Sequence, residues 1–196
     1  MIAVLPGFLA AISMQTNRLS HPIPSDCMHD SILAGLAAFH RPRYFAGRML
    51  TASDLEREQE YHRAHARLHN QLLHGWGVVS GLDVRSTAGR IVVSPGLALD
   101  PAGNVVVLPQ ECVLSMAPSS SALAALFVVV RYSETPTDPV VVGDGTEFLC
   151  TEEAAACSIS PSVPKHPDTG IAIARIIWRT TQWRVDGRYR RRRVRT

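Results

Sequence analysis

The chain has 196 residues, of which 46% are apolar and 19% charged, with a formal net charge of +3. That length and apolar content suffice for one sizeable buried core and exclude disorder of the whole chain. The opening apolar stretch, Ile2 to Met14, is broken by Pro6 and Gly7. It falls short of the ~18 apolar residues of a membrane span and lacks the basic flank of a secretory signal, so no span is expected.

Residues 1–40 read as an irregular N-terminal extension. Pro22 and Pro24 punctuate it, and Ile32, Leu33, Leu36 and Phe39 have the spacing of a brief helix that Pro42 stops. Residues 41–77 read as a long helical arm. Thr51 is a good N-cap, and Asp54 stands where its carboxylate can return the cap hydrogen bond. Acidic residues (Asp54, Glu56, Glu58, Glu60) crowd the first half and basic ones (Arg63, Arg67, His74) the second, which complements the helix dipole. Gly75 and Gly77 end the run, giving a helix of about 23 residues, roughly 35 Å long. Tyr61, Ala64, Leu68 and Leu72 form one narrow apolar stripe, the expected packing or assembly face. The neighbouring stripe is Leu55, His62, His65 and His69. Such a narrow stripe fits a helix that packs on one side only or pairs with copies of itself. Trp76, between two glycines, reads as an aromatic at the hinge where helix hands over to strand.

After Gly77 the apolar period changes to two. Short strands are predicted around 78–84, 91–93, 97–99, 105–108 and 112–116, separated by turn clusters such as Asp100-Pro101-Ala102-Gly103-Asn104. Leu126 to Tyr132 reads as a central strand, Thr135 to Pro139 as an exposed turn, and Gly143 to Pro167 as a long loop. Ile171 to Trp178 and Gln182 to Val185 read as closing strands. The fold class is α+β, mainly β: an antiparallel β-sandwich or barrel over 78–186, preceded by one long α-helix. Residues 187–196 are an Arg-rich tail, best read as solvated; with Tyr189 as its lone aromatic it offers no specific nucleic-acid readout.

Four cysteines, Cys27, Cys112, Cys150 and Cys157, form no C-x-x-C pair. Cys150 and Cys157 flank a segment that a disulfide would close, but a chain this long needs no staple, and free thiols in a reducing compartment are expected. His62, His65 and His69 share a helix face and are weak candidates for a metal site; the His-Glu-x-x-His pattern is absent. No Gly-x-Ser-x-Gly elbow or Walker loop is present, so no catalytic residue and no cofactor is assigned.

Several blocks are familiar. Tyr44-Phe45-Ala46-Gly47-Arg48-Met49-Leu50-Thr51-Ala52-Ser53-Asp54-Leu55 is followed by Glu58-Gln59-Glu60-Tyr61-His62 and Leu68-His69-Asn70. Then come Leu73-His74-Gly75-Trp76-Gly77-Val78-Val79-Ser80-Gly81-Leu82 and Ser94-Pro95-Gly96-Leu97-Ala98-Leu99-Asp100 with Gly103-Asn104. Together with Arg131-Tyr132-Ser133-Glu134 and Thr137-Asp138-Pro139-Val140, they resemble a bacterial family of accessory, baseplate- or fibre-associated proteins of phage-tail-like contractile injection systems. The resemblance covers residues 41–142 and, more loosely, 170–180. It implies a structural component of such a particle, not an enzyme, acting through protein–protein assembly. The implied partners are other particle subunits or further copies of the chain, in the cytoplasm as part of an assembled, releasable particle. Two other readings stay open on the sequence. One is a ligand-binding module that grips a glycan or peptide with the 143–167 loop; the other is a metal-dependent enzyme built on the histidine stripe.

Overall fold

A computed structural model describes residues 36–87, 89–116, 125–165, 170–179 and 181–194. The brief helix expected over 32–39 falls partly outside these residues; the described part, Leu36 to Phe39, is not helical. The compact unit that begins at Phe39 holds, among the described residues, one helix and ten strands.

Helix α1 spans Ala52–His69 and continues as a wider π turn over Asn70–His74. Thr51 has the extended backbone of an N-cap (φ −108°). The Asp54 carboxylate accepts from the Thr51 N–H at 3.2 Å and from the Thr51 hydroxyl at 3.0 Å, and Arg48 pairs with it from outside. Gly75, at φ +68°, ends the helix in a conformation that a side-chain-bearing residue rarely takes.

All ten strands pair antiparallel, in three sheets. The first sheet joins β1 (Gly77–Gly81), β4 (Gly96–Leu99) and β5 (Val105–Leu108) in the order β1-β4-β5. The second joins β2 (Val84–Thr87), β3 (Arg90–Val93) and β6 (Cys112–Ser115) in the order β2-β3-β6. The third has the order β10-β9-β7-β8, built from β7 (Ala125–Val142), β8 (Gly145–Ser160), β9 (Gly170–Arg179) and β10 (Gln182–Val185). Period-two patterning places the core: in β5, Val106 and Leu108 are buried while Val105 and Val107 are exposed. Val78, Ile91, Val93, Ala98, Val106, Val128, Val130, Ile171 and Ile176 come from all three sheets and meet, with Leu82 from the β1–β2 corner, in one apolar cluster.

The corner between β1 and β2 is tight. Gly81 sits at φ +62°, and a Cβ there would lie 2.1 Å from the Pro95 carbonyl oxygen. The next residue, Leu82, is also left-handed (φ +54°) yet wholly buried. A left-handed leucine costs about 1–2 kcal/mol, which its burial, at about 1.5–3 kcal/mol, offsets.

Four sequence expectations change. The barrel alternative gives way to three open sheets among the described residues. The turn expected at Thr135 to Pro139 is the middle of β7. Pro136 and Pro139 fit there because β9 accompanies β7 only as far as Arg131, so the prolines lie on an edge strand. The long loop expected at Gly143 to Pro167 is mostly strand β8, paired with β7 from Phe127–Ser160 out to Val142–Gly145 and closed by the two-residue turn Gly143–Asp144. Its Glu- and Ala-rich sequence carries no apolar alternation, so the pairing partner sets the strand. The tail that its composition reads as solvated is docked up to Val194. The Arg193 backbone makes a parallel bridge with Val78; the Val78 N–H donates to the Arg192 carbonyl at 2.9 Å, and the Val194 N–H to the Val78 carbonyl at 3.2 Å.

Candidate functional site

The features that reach outward are α1 and the far half of the β7–β8 hairpin, and both are held by identifiable contacts. Residues 39–50 run back along α1 as a strap. Phe39 stacks on His65 with ring centroids 3.9 Å apart and meets Tyr61 edge-on at 6.2 Å. The Tyr44 hydroxyl donates to Glu58 at 2.6 Å, and Arg48 pairs with Asp54 at the helix start.

At its other end α1 is clamped to the β4–β5 turn. Arg67 Nε donates to Asn104 Oδ1 at 2.7 Å, Asn70 Nδ2 to the Gly103 carbonyl at 2.8 Å, and Gln71 Nε2 to the Pro101 carbonyl at 3.1 Å. Asp100, wholly buried, shapes that turn by accepting from the Asn104 backbone N–H at 2.8 Å and from its amide at 2.9 Å. The fit is close: a Cβ on Gly103 would lie 2.3 Å from the Arg67 carbonyl oxygen.

The expected packing residues Tyr61, Ala64, Leu68 and Leu72 are each half-buried, as is Trp76, which packs against the core. Arg192 lies over the Trp76 ring at 4.2 Å and donates to the Trp76 carbonyl at 3.0 Å. The weak metal candidates do not converge. His62, His65 and His69 are exposed; His65 is stacked on Phe39, His62 meets Tyr61, and His69 faces His74. Among the described residues no three His, Cys, Asp or Glu side chains are placed to hold a metal ion. Cys112, Cys150 and Cys157 are free thiols. Cys150 lies opposite Thr137 and Cys157 opposite Val130 on one extended strand, too far apart for the disulfide that a loop would have permitted. Burial, then a hydrogen bond with Cys112, pushes the Cys157 thiol well up, leaving it a poor nucleophile.

Beyond Arg131 the hairpin leaves its sheet as a two-stranded ribbon, roughly 35 Å long at ~3.4 Å per residue. Its root is tied to α1 by the Arg63–Glu134 ion pair, and the Tyr132 hydroxyl donates to Glu134 at 2.8 Å. Past that root, Val141, Phe148 and Leu149 are 78%, 51% and 72% exposed, so the ribbon presents apolar side chains to its surroundings. Periodicity does not reveal this arm. The Gly143-Asp144-Gly145 turn was the available signal, hidden by the helix-favouring composition that follows.

The strap has a pH signature. Hydrogen bonds from the Thr51 backbone and hydroxyl, with help from Arg48, hold the Asp54 carboxyl below its usual range. A depressed carboxylate contributes its stability fully above the unfolded value, near pH 4, and loses it as pH falls through the folded value. Asp54→Asn is therefore expected to flatten the acid limb. Its melting temperature should fall less than that of the parent protein on acidification from about pH 5, as followed by circular dichroism. Parallel acid limbs for the two proteins would refute this role.

No protein-family model matches the chain, and no curated protein matches it. Solved structures do. The crystal structure of TssK matches at a TM-score of 0.50 with 14% identity, over 76% of this chain and 41% of that one. A chain of the type VI secretion system TssK–TssF–TssG baseplate subcomplex, solved by cryo-electron microscopy, matches at 0.47 with 17% identity, over 79% and 62%. A chain of the baseplate complex from the type VI secretion system matches at 0.47 with 15% identity, over 79% and 60%. This chain thus spans between 41% and 62% of the lengths of these three structures. The likeness to TssK is one of fold.

Proposed function

We propose that the chain is a non-enzymatic structural subunit of a phage-tail-like contractile injection particle, assembled in the cytoplasm through contacts with other particle subunits. One observation carries this reading: the β7–β8 ribbon stands beyond its sheet with edges that no other described residue pairs, and with exposed Val141, Phe148 and Leu149. Open edges and apolar side chains on an isolated ribbon are surfaces that a partner covers. The Arg63–Glu134 ion pair ties the root of the ribbon to α1, which the clamp and strap hold in turn, and this suits a part that transmits load rather than one that turns over a substrate. The shared fold with TssK, a named component of a baseplate subcomplex, supports the same reading. The glycan- or peptide-gripping loop loses its footing, since most of residues 143–167 is strand.

Particles purified from a producing strain are expected to contain the chain, and a strain lacking it is expected to yield defective particles by electron microscopy. Intact particles from the deletion strain, with no chain in those from the parent, would sink the proposal.

A further inference from the structure

The third sheet carries opposite charges at its two extremities. At one end, Arg175, Arg179, Arg184, Arg188 and Arg190 line a cleft of about 960 Å³ whose wall includes Trp178. Among the described residues one carboxylate lines it, Asp186, which pairs with Arg175 at 3.7 Å and accepts from the Arg188 backbone N–H. At the other end, the ribbon from Thr135 to Ala156 holds Asp138, Asp144, Glu147, Glu152 and Glu153 and no Lys, Arg or His. The acidic stretch also carries the exposed Phe148 and Leu149.

One chain cannot bring the two together. The cleft is built where β7 begins, at Ala125 opposite Ile177, and the ribbon tip lies at Val142 on the same continuous strand. That is about 17 residues of extended chain, roughly 55 Å. We propose that the acidic ribbon of one copy docks in the arginine cleft of a second copy, in a head-to-tail self-association. The carboxylates meet guanidinium groups that form bidentate pairs with them, and Leu149, on the same strand face as Glu147, leaves water against the wall that holds Trp178. Because the two surfaces differ, the contact is heterologous and generates a ring or an open chain rather than a two-fold dimer. The inference does not require membership of a particle and is tested without one.

The test is sedimentation velocity on the full chain at about 50 mM and about 500 mM salt, since screening shortens the reach of exposed charges from about 14 Å to about 4 Å over that range. Self-association at low salt that disappears at high salt is expected. A ribbon variant (Glu147→Lys with Glu152→Lys) and a cleft variant (Arg179→Glu with Arg188→Glu) are each expected to associate at least about tenfold more weakly. Mixing the two variants, which restores opposite charges across the contact, is expected to restore association. A parent protein that stays monomeric at low salt, variants that associate like the parent, or a mixture that stays dissociated would each overturn the proposal. So would a fluorescent single-stranded oligonucleotide that binds the parent and not the cleft variant while self-association is the same in both; the cleft would then serve nucleic acid.

Discussion

Gly103→Ala is expected to unlatch α1 from the sheets and to cost about 3–5 kcal/mol. Gly103 sits at φ +85°, where an alanine costs about 1–2 kcal/mol in backbone strain alone. The new methyl would also lie 2.3 Å from the Arg67 carbonyl oxygen, a backbone atom that cannot swing aside. The turn must therefore retreat from the helix. Retreat breaks the Arg67–Asn104, Asn70–Gly103 and Gln71–Pro101 hydrogen bonds, each worth about 1 kcal/mol. Gly143→Ala separates the two contributions. It has the same sign of φ (+59°) but nothing within 4 Å of the added carbon, so it should show the strain alone, about 1–2 kcal/mol. Urea unfolding of both variants gives the difference. Hydrogen exchange should locate it: in Gly103→Ala, amides of 60–74 exchange faster while those of β3 and β9 keep their protection. Equal losses in the two variants would mean that the clamp does not hold the helix.

The elements that the sequence announces are those whose signals are local. Thr51 and Asp54 mark the start of α1, and Gly75 and Gly77 mark its end, because caps and left-handed exits act within a few residues. The Asp100–Asn104 turn is equally plain from its Pro and Gly. Its second role, as the anchor of α1, is not, because the hydrogen bonds join residues 30 to 37 apart that no periodicity connects. The block from Tyr44 to Leu50 stands out as a pattern, but its use as a strap follows only from where Glu58 and Asp54 fall along the helix. β8 was hardest to see. Glu152, Glu153 and the three alanines after them favour helix locally, and β7 overrides that preference by offering a complete set of backbone partners. The tail was hidden for the opposite reason. A run of arginines reads as solvated unless backbone carbonyls wait for it, and those carbonyls belong to residues more than a hundred positions earlier.

Those carbonyls make the tail the second place where a small change should have a large effect. Arg191 Nη1 donates to the Leu82 carbonyl at 2.6 Å, and Nη2 to Asp83 at 2.8 Å. Leu82 is wholly buried and left-handed, so losing this donor leaves its carbonyl without the arginine that now satisfies it. Arg191→Ala is expected to cost about 1.5–3 kcal/mol, the range for a hydrogen bond from a charged donor. Arg190→Ala, whose guanidinium donates to the nearby Gly187 carbonyl from an exposed position, should stay within about 0.5 kcal/mol. Ending the chain at Arg190 removes more. It takes away both backbone hydrogen bonds to Val78, at about 1 kcal/mol each, and the Arg192–Trp76 stack, at about 0.5–2 kcal/mol. The expected loss is about 4–6 kcal/mol, a large share of the roughly 5–15 kcal/mol that holds a domain folded. Gly77 is part of the same fit, since the Arg192 and Arg193 backbone lies against it within 3 Å of where a Cβ would be. Salt distinguishes a docked tail from a solvated one. The contact of a partly buried guanidinium with a buried carbonyl is weakly screened and the pair with the exposed Asp83 contributes little, so most of the cost of Arg191→Ala should persist in urea titrations from about 50 mM to about 500 mM salt. A cost that vanishes at high salt, or an Arg190 truncation as stable as the full chain, would show that the tail does not brace β1.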